Sequence, residues 1–143
     1  MQYSNEMKIQ FPNKSSNEGF ARVAVAAFVA QLDVTVEEMS DMKTAVSEAV
    51  TNAIVHGYEN LKGYITVECR IIDDTVEIIV NDSGHGISDV AQARQPLYTS
   101  RPELERSGMG FTVMETFMDE VTVTSALGVG TTVTMRKKIS DKE

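Results

Sequence analysis

The run Ile65-Thr66-Val67-Glu68-Cys69-Arg70-Ile71-Ile72-Asp73-Asp74-Thr75-Val76-Glu77-Ile78-Ile79-Val80 decides the fold class. Ile65, Val67, Cys69 and Ile71 alternate with polar neighbours, and Val76, Ile78 and Val80 alternate again beyond Asp73-Asp74. A period of two marks strands that bury one face, and a polar pair between two such runs marks a hairpin. Immediately upstream the period is helical. Met39, Met42, Val46, Val50, Ala53 and Ile54 recur at intervals of three and four. Thr35 precedes this run with Glu38 three residues later, the capping-box spacing, and Gly57 stops it.

Working outward, Glu6 to Phe11 alternates weakly and reads as an edge strand. Ser15 or Ser16 can cap a first helix running to about Leu32, with Phe20, Val23, Ala24, Ala27 and Phe28 as its apolar face. Downstream, residues 83–107 are loop-rich, with a short helix expected near Val90 to Arg94. A third helix follows from about Met109 to Met118. Val121 and Val123, a turn at Gly128 and Gly130, then Val133 and Met135 make a second hairpin. Strands and helices are grouped rather than strictly alternating. The expected class is α+β, a two-layer sandwich with helices on one face of a mixed sheet. The 143 residues, without repeat or Pro/Gly-rich linker, suit one domain over 1–143.

Composition narrows the function classes. The net charge of -8 lacks the basic face that binds nucleic-acid phosphates, so any effect on transcription is expected to pass through another protein, with no direct nucleic acid bound. No stretch of about 18 apolar residues is present, because Arg22 and Gln31 interrupt the most apolar segment, so no membrane is expected. The start Met1-Gln2-Tyr3-Ser4-Asn5-Glu6 has no basic and apolar secretory pattern, and the single Cys69 has no disulfide partner. The expectation is a cytoplasmic protein.

Four short patterns can carry chemistry. In Ser47-Glu48-Ala49-Val50-Thr51-Asn52, Glu48 and Asn52 lie one helical turn apart on one face. An Asn52 amide oxygen can serve Mg²⁺ when phosphates and water fill the other positions, and Glu48 can then accept a proton from an attacking hydroxyl. A polar, solvated helix face explains the same pair. Asp82-Ser83-Gly84-His85-Gly86 ends a strand with an acid and spaced glycines, which lets backbone approach a flat ligand and lets the carboxylate take an exocyclic amine; a tight turn explains it too. Arg106-Ser107-Gly108-Met109-Gly110 opens the third helix, where N–H groups and an arginine suit an anion, or merely join loop to helix. Gly128-Val129-Gly130-Thr131-Thr132 places hydroxyls that can reach a base, or forms an ordinary hairpin.

Together the four resemble the nucleotide-binding boxes of the superfamily that contains gyrase, Hsp90, histidine kinases and MutL. Glu48 and Asn52, then Asp82, Gly84 and Gly86, then Gly108 and Gly110, then Gly130 and Thr131 match its boxes in order. Within it, Phe20-Ala21-Arg22-Val23, Ala93-Arg94-Gln95-Pro96-Leu97 and Pro102-Glu103-Leu104-Glu105-Arg106 resemble the anti-sigma F family of spore-forming bacteria. The resemblance implies the Bergerat-type ATP-binding sandwich with a lid at about 87–107, ATP or ADP with Mg²⁺, and transfer of phosphate to a protein serine. It implies Glu48 acting on the partner's serine hydroxyl, Asn52 on Mg²⁺, Asp82 on adenine with Thr131 or Thr132 assisting, and Ser107, Gly108, Met109 and Gly110 around the phosphates. Arg106, or less favoured Arg101, would meet the terminal phosphate. The implied partners are a sigma factor of the F type, an anti-anti-sigma factor that carries the serine, and a second copy in a homodimer. A general-stress anti-sigma kinase is the nearest alternative, and a histidine-kinase ATP-binding module or a nucleotide-gated binding protein without transfer are others.

The remaining residues have plainer readings. His56 packs or caps, while Cys69 and the methionines fill the core. Arg22 divides evenly between a solvated charge and a partner contact.

Overall fold

A computed structural model describes residues 4–57, 62–84, 110–126 and 128–140. Its elements are β1 (Asn5–Pro12), α1 (Asn17–Val29), α2 (Val36–Asn52), a π-helical turn (Ala53–Gly57), β2 (Tyr64–Ile72), β3 (Thr75–Asp82), α3 (Gly110–Phe117), β4 (Glu120–Ala126) and β5 (Gly130–Lys138). The strands form one sheet in the order β1-β2-β3-β5-β4. The short helix expected near Val90 to Arg94, and the lid at 87–107, lie outside the described residues.

The two-layer α+β arrangement matches the sequence reading; the mixed sheet does not. All four described pairings are antiparallel. The reason is topological. β3 and β4 run the same way, with α3 between them, but β5 folds back from β4 and inserts beside β3. The two parallel strands therefore never pair.

The three helices cover one face of the sheet. Val25 and Val29 of α1, Met42, Val46 and Val50 of α2, and Met114 of α3 join Ile65, Val67, Cys69, Val76, Ile78, Val80, Val133 and Met135 in a single buried core. Cys69 is inside it, as its alternation with Ile65 and Val67 requires, and burial pushes its thiol up to about 12.

The apolar face of α1 is rotated from the expected one. Ala21, Val25 and Val29 are buried, whereas Phe20 is 55% and Val23 62% exposed. Residues 20–29 are apolar almost all round, so periodicity does not choose the phase. Close packing on the sheet takes the smaller side chains, and Phe20 instead meets the ring of Phe11 edge-on, 6.3 Å between centroids. Ser16 is at the cap position but holds helical angles and makes no side-chain cap bond.

The other face of the sheet is polar. There Glu6, Arg70, Glu77, Arg136 and Glu120 stand in register across all five strands with alternating charge. Arg70 pairs with Glu77 at 3.2 Å and Arg136 with Glu77 at 2.7 Å, while Glu120 closes on Arg136. Bonding to Glu77 raises the Arg136 pKa further. No helix among the described residues is long and apolar enough to cross a membrane.

Candidate functional site

Two contacts fix the direction of α2 against the sheet. Ser140, just beyond β5, donates its N–H and hydroxyl to Glu38 Oε2 at 2.8 and 2.9 Å. Lys137 lies 3.4 Å from Asp41. The start of α2 therefore sits at the end of β5, and the two elements run antiparallel. At about 1.5 Å per helical residue and 3.4 Å per strand residue, α2 covers about 25 Å and β5 about 30 Å, so Asn52 lies toward the end of the sheet where β5 begins. The π-helical turn after Asn52 packs against β3 and β5 there. Such turns occur often at functional sites.

α3 is tied to the same strand. Lys137 Nζ donates to the Phe117 carbonyl at 2.8 Å, which holds the helix's last residue at the far end of β5. The helix packs against α2, with Gly110, Phe111 and Met114 buried.

β3 contributes Asp82, 5% exposed. Its Oδ1 accepts the Gly84 N–H at 2.9 Å, so the Asp-x-Gly spacing closes an Asx turn that holds the carboxylate. Across the ladder Asp82 stands beside Thr131. This closeness depends on Gly130. Its φ is +127°, and a Cβ built there would lie 2.1 Å from the Asp82 carbonyl oxygen. Any side chain would push β5 away from the acid.

The two threonines separate. Thr131 is buried on Asp82's face, 2.8 Å from Ser125 Oγ. Thr132, one residue on, faces the opposite side and accepts from Asn81 Nδ2 at 2.7 Å. Strand alternation thus corrects the expectation that Thr132 could serve as well as Thr131. Ser125 and Asn81 went unnoticed in the sequence, although counting outward from the Gly128 turn sets Ser125 against Thr131.

Glu48 and Asn52 are half-buried on α2, as their spacing predicts. Among the described residues no group of three His, Cys, Asp or Glu side chains could hold a metal. An asparagine side-chain oxygen, as Asn52 carries, is a hard donor of the kind Mg²⁺ takes together with phosphates and water. Arg22 lies elsewhere. It is 3.6 Å from Glu18 and lines a groove of about 740 Å³ with Leu32, Val36, Met39, Lys43 and Ser47. Gly86, Arg101, Arg106, Ser107, Gly108 and Met109 fall outside the described residues.

The family described as "Histidine kinase-like ATPase domain" matches residues 11–137. The chain is 60% identical over 140 residues to the anti-sigma F factor of Clostridium novyi (strain NT), covering 97% of this chain and 98% of that protein. It is 61% identical over 137 residues to the anti-sigma F factor of Clostridium beijerinckii, covering 95% and 96%. Among solved structures, the RsbU and RsbW domains of a Mycobacterium tuberculosis protein align with a TM-score of 0.70 at 21% identity, over 97% of this chain and 34% of that one. The catalytic domain of the histidine kinase ThkA aligns with a TM-score of 0.58 at 14% identity, over 95% and 99%. These two likenesses show the fold.

Proposed function

Because the chain belongs to the histidine kinase-like ATPase family and, within it, to the anti-sigma F factors, we propose that it is an ATP-dependent serine kinase that also holds a sigma factor. Its substrate is the serine of an anti-anti-sigma protein, and its other partner is a sigma factor of the F type kept from RNA polymerase. The observation that supports this reading is Asp82 held beside Thr131 across the β3–β5 ladder, with the turn that follows Asn52 packed against the same two strands.

Bound Mg²⁺–ATP supplies the phosphoryl group and the charge that steadies it. In this reading the chain's own residues do the positioning. Asp82 accepts from the adenine amine, with Thr131 beside it. The Asn52 side-chain oxygen holds Mg²⁺. Glu48, one turn away, would take the proton of the partner's serine as that oxygen bonds to the terminal phosphorus and the bond to the ADP leaving group breaks. Ser107, Gly108, Met109 and Gly110 offer N–H groups to the phosphates, and Arg106, with Arg101 as the second choice, meets the terminal one. Arg22 is assigned to a protein partner, because its groove reaches Ser47, next to Glu48. The active form is a homodimer working in the cytoplasm.

The test is transfer from ATP labelled on its terminal phosphate, with Mg²⁺, into a lysate of the source cell. Acid-stable label on the serine of one small protein is expected. Acid-labile label would move the protein to histidine chemistry. Tight nucleotide binding with no transfer would leave a nucleotide-gated sigma binder.

A further inference from the structure

We propose that Ser125 is a positioning residue that sets the hydrogen-bond polarity of Thr131, so that the base site offers acceptors to a 6-aminopurine and disfavours a 6-oxopurine. The inference rests on the nucleotide reading of this site.

Ser125 Oγ lies 3.1 Å from the Gly130 carbonyl oxygen and 2.8 Å from Thr131 Oγ1. A serine hydroxyl has one proton, and a carbonyl oxygen can only accept. Assigning the Ser125 proton to the Gly130 carbonyl leaves Thr131 as the donor of the Ser125–Thr131 contact. With that proton committed, Thr131 turns only lone pairs toward its surroundings. Its cross-strand neighbour is Asp82, whose carboxylate also only accepts. Directly paired residues on one face hold their Cβ atoms about 5 Å apart. The two acceptors therefore lie side by side on the buried face, Thr131 8% and Asp82 5% exposed.

Such a pair suits an exocyclic amine, which carries two N–H donors and meets them directly or through water. A 6-oxopurine brings an oxygen to the same place and sets acceptor against acceptor. Thr131 alone does not discriminate, because a free hydroxyl rotates and donates. Ser125 removes that freedom, and Gly130 serves twice: its missing side chain admits Asp82, and its carbonyl holds the Ser125 proton.

The experiment measures binding of Mg–ADP and Mg–GDP by calorimetry to wild type, Ser125→Ala, Ser125→Thr, Thr131→Val and the double variant Ser125→Ala/Thr131→Val. Thermal melting checks that each is folded. The expected result is that Ser125→Ala lowers the ADP-to-GDP preference about tenfold, the size of one net hydrogen bond. Ser125→Thr, which keeps a hydroxyl, retains the preference. Thr131→Val lowers it, and adding Ser125→Ala to that variant changes it no further. An unchanged preference in Ser125→Ala, with or without a lower melting temperature, overturns the inference and leaves the nucleotide reading intact. Additive losses in the double variant also overturn it. Wild type that binds neither nucleotide overturns the functional reading as well.

Discussion

The two ends of α2 are built in opposite ways. At its start the capping groups are engaged on both sides. Thr35 Oγ1 accepts the Glu38 N–H at 2.9 Å, Glu38 Oε1 accepts the Thr35 N–H at 2.8 Å, and Glu38 Oε2 takes both donors of Ser140. At its end there is no basic residue in the last turn and no left-handed glycine cap. Ala53 keeps helical angles and the chain widens into a π-helical turn. One end is closed by reciprocal bonds. The other carries Glu48 and Asn52, half-buried, ahead of a turn that packs against the strands of Asp82 and Thr131. The division suggests that stability and chemistry sit at separate ends of one helix, and variants can test it.

The largest effect is expected at the open end. If Glu48 takes the serine proton, Glu48→Ala lowers phosphoryl transfer by about 10²–10⁴-fold. ADP affinity should stay within about twofold of wild type, since on this reading the residue touches the partner's hydroxyl and not the base. Single-turnover transfer together with nucleotide titration separates the two. A variant that loses ADP binding as severely as transfer would break the assignment.

The closed half of the helix should respond in stability. Met42 is fully buried in the first half of α2, so Met42→Ala should cost about 2–5 kcal/mol in denaturant unfolding. Thr35→Ala removes half of the capping box and should cost about 1 kcal/mol, roughly 4 °C in melting temperature. Neither should alter the transfer rate of the protein that remains folded. A slower rate in folded Thr35→Ala would join the two ends that the comparison separates.

How much of this was legible in the sequence follows from the same helix. The capping box could be read because its partners are three residues apart, and local spacing fixes geometry. Glu48 and Asn52 could be paired for the same reason. The second partner of Glu38 could not: Ser140 is 102 residues away, brought there only by the sheet. The split between Thr131 and Thr132 needed the register of β5 on β3, since either threonine alone satisfies the motif. The burial phase of α1 was misread because an almost uniformly apolar stretch offers several faces, and tertiary packing chooses among them. The antiparallel sheet was hidden because strand order, which inserts β5 beside β3, leaves no mark on local periodicity.

The smallest expected effect sharpens the comparison most, because it isolates one carboxylate at the closed end. Burial opposes ionisation of Glu38, but the N–H groups of Thr35 and Ser140, with both their hydroxyls, outweigh it and hold the pKa at about 2. In the unfolded chain the same group returns to about 4.5. The unfolded state therefore takes up the proton first as pH falls. Stability from Glu38 is complete above about 4.5, shrinks through the interval below it and is gone near 2. Solvent reaches this side chain, so the contribution is modest. Urea unfolding of wild type and Glu38→Gln should differ above pH 4.5 and converge toward pH 2, while nucleotide affinity at neutral pH stays equal in the two. A stability gap that persists unchanged to the acid end would mean that Glu38 acts through packing rather than charge, and the closed end would then owe its order to shape instead of hydrogen bonds.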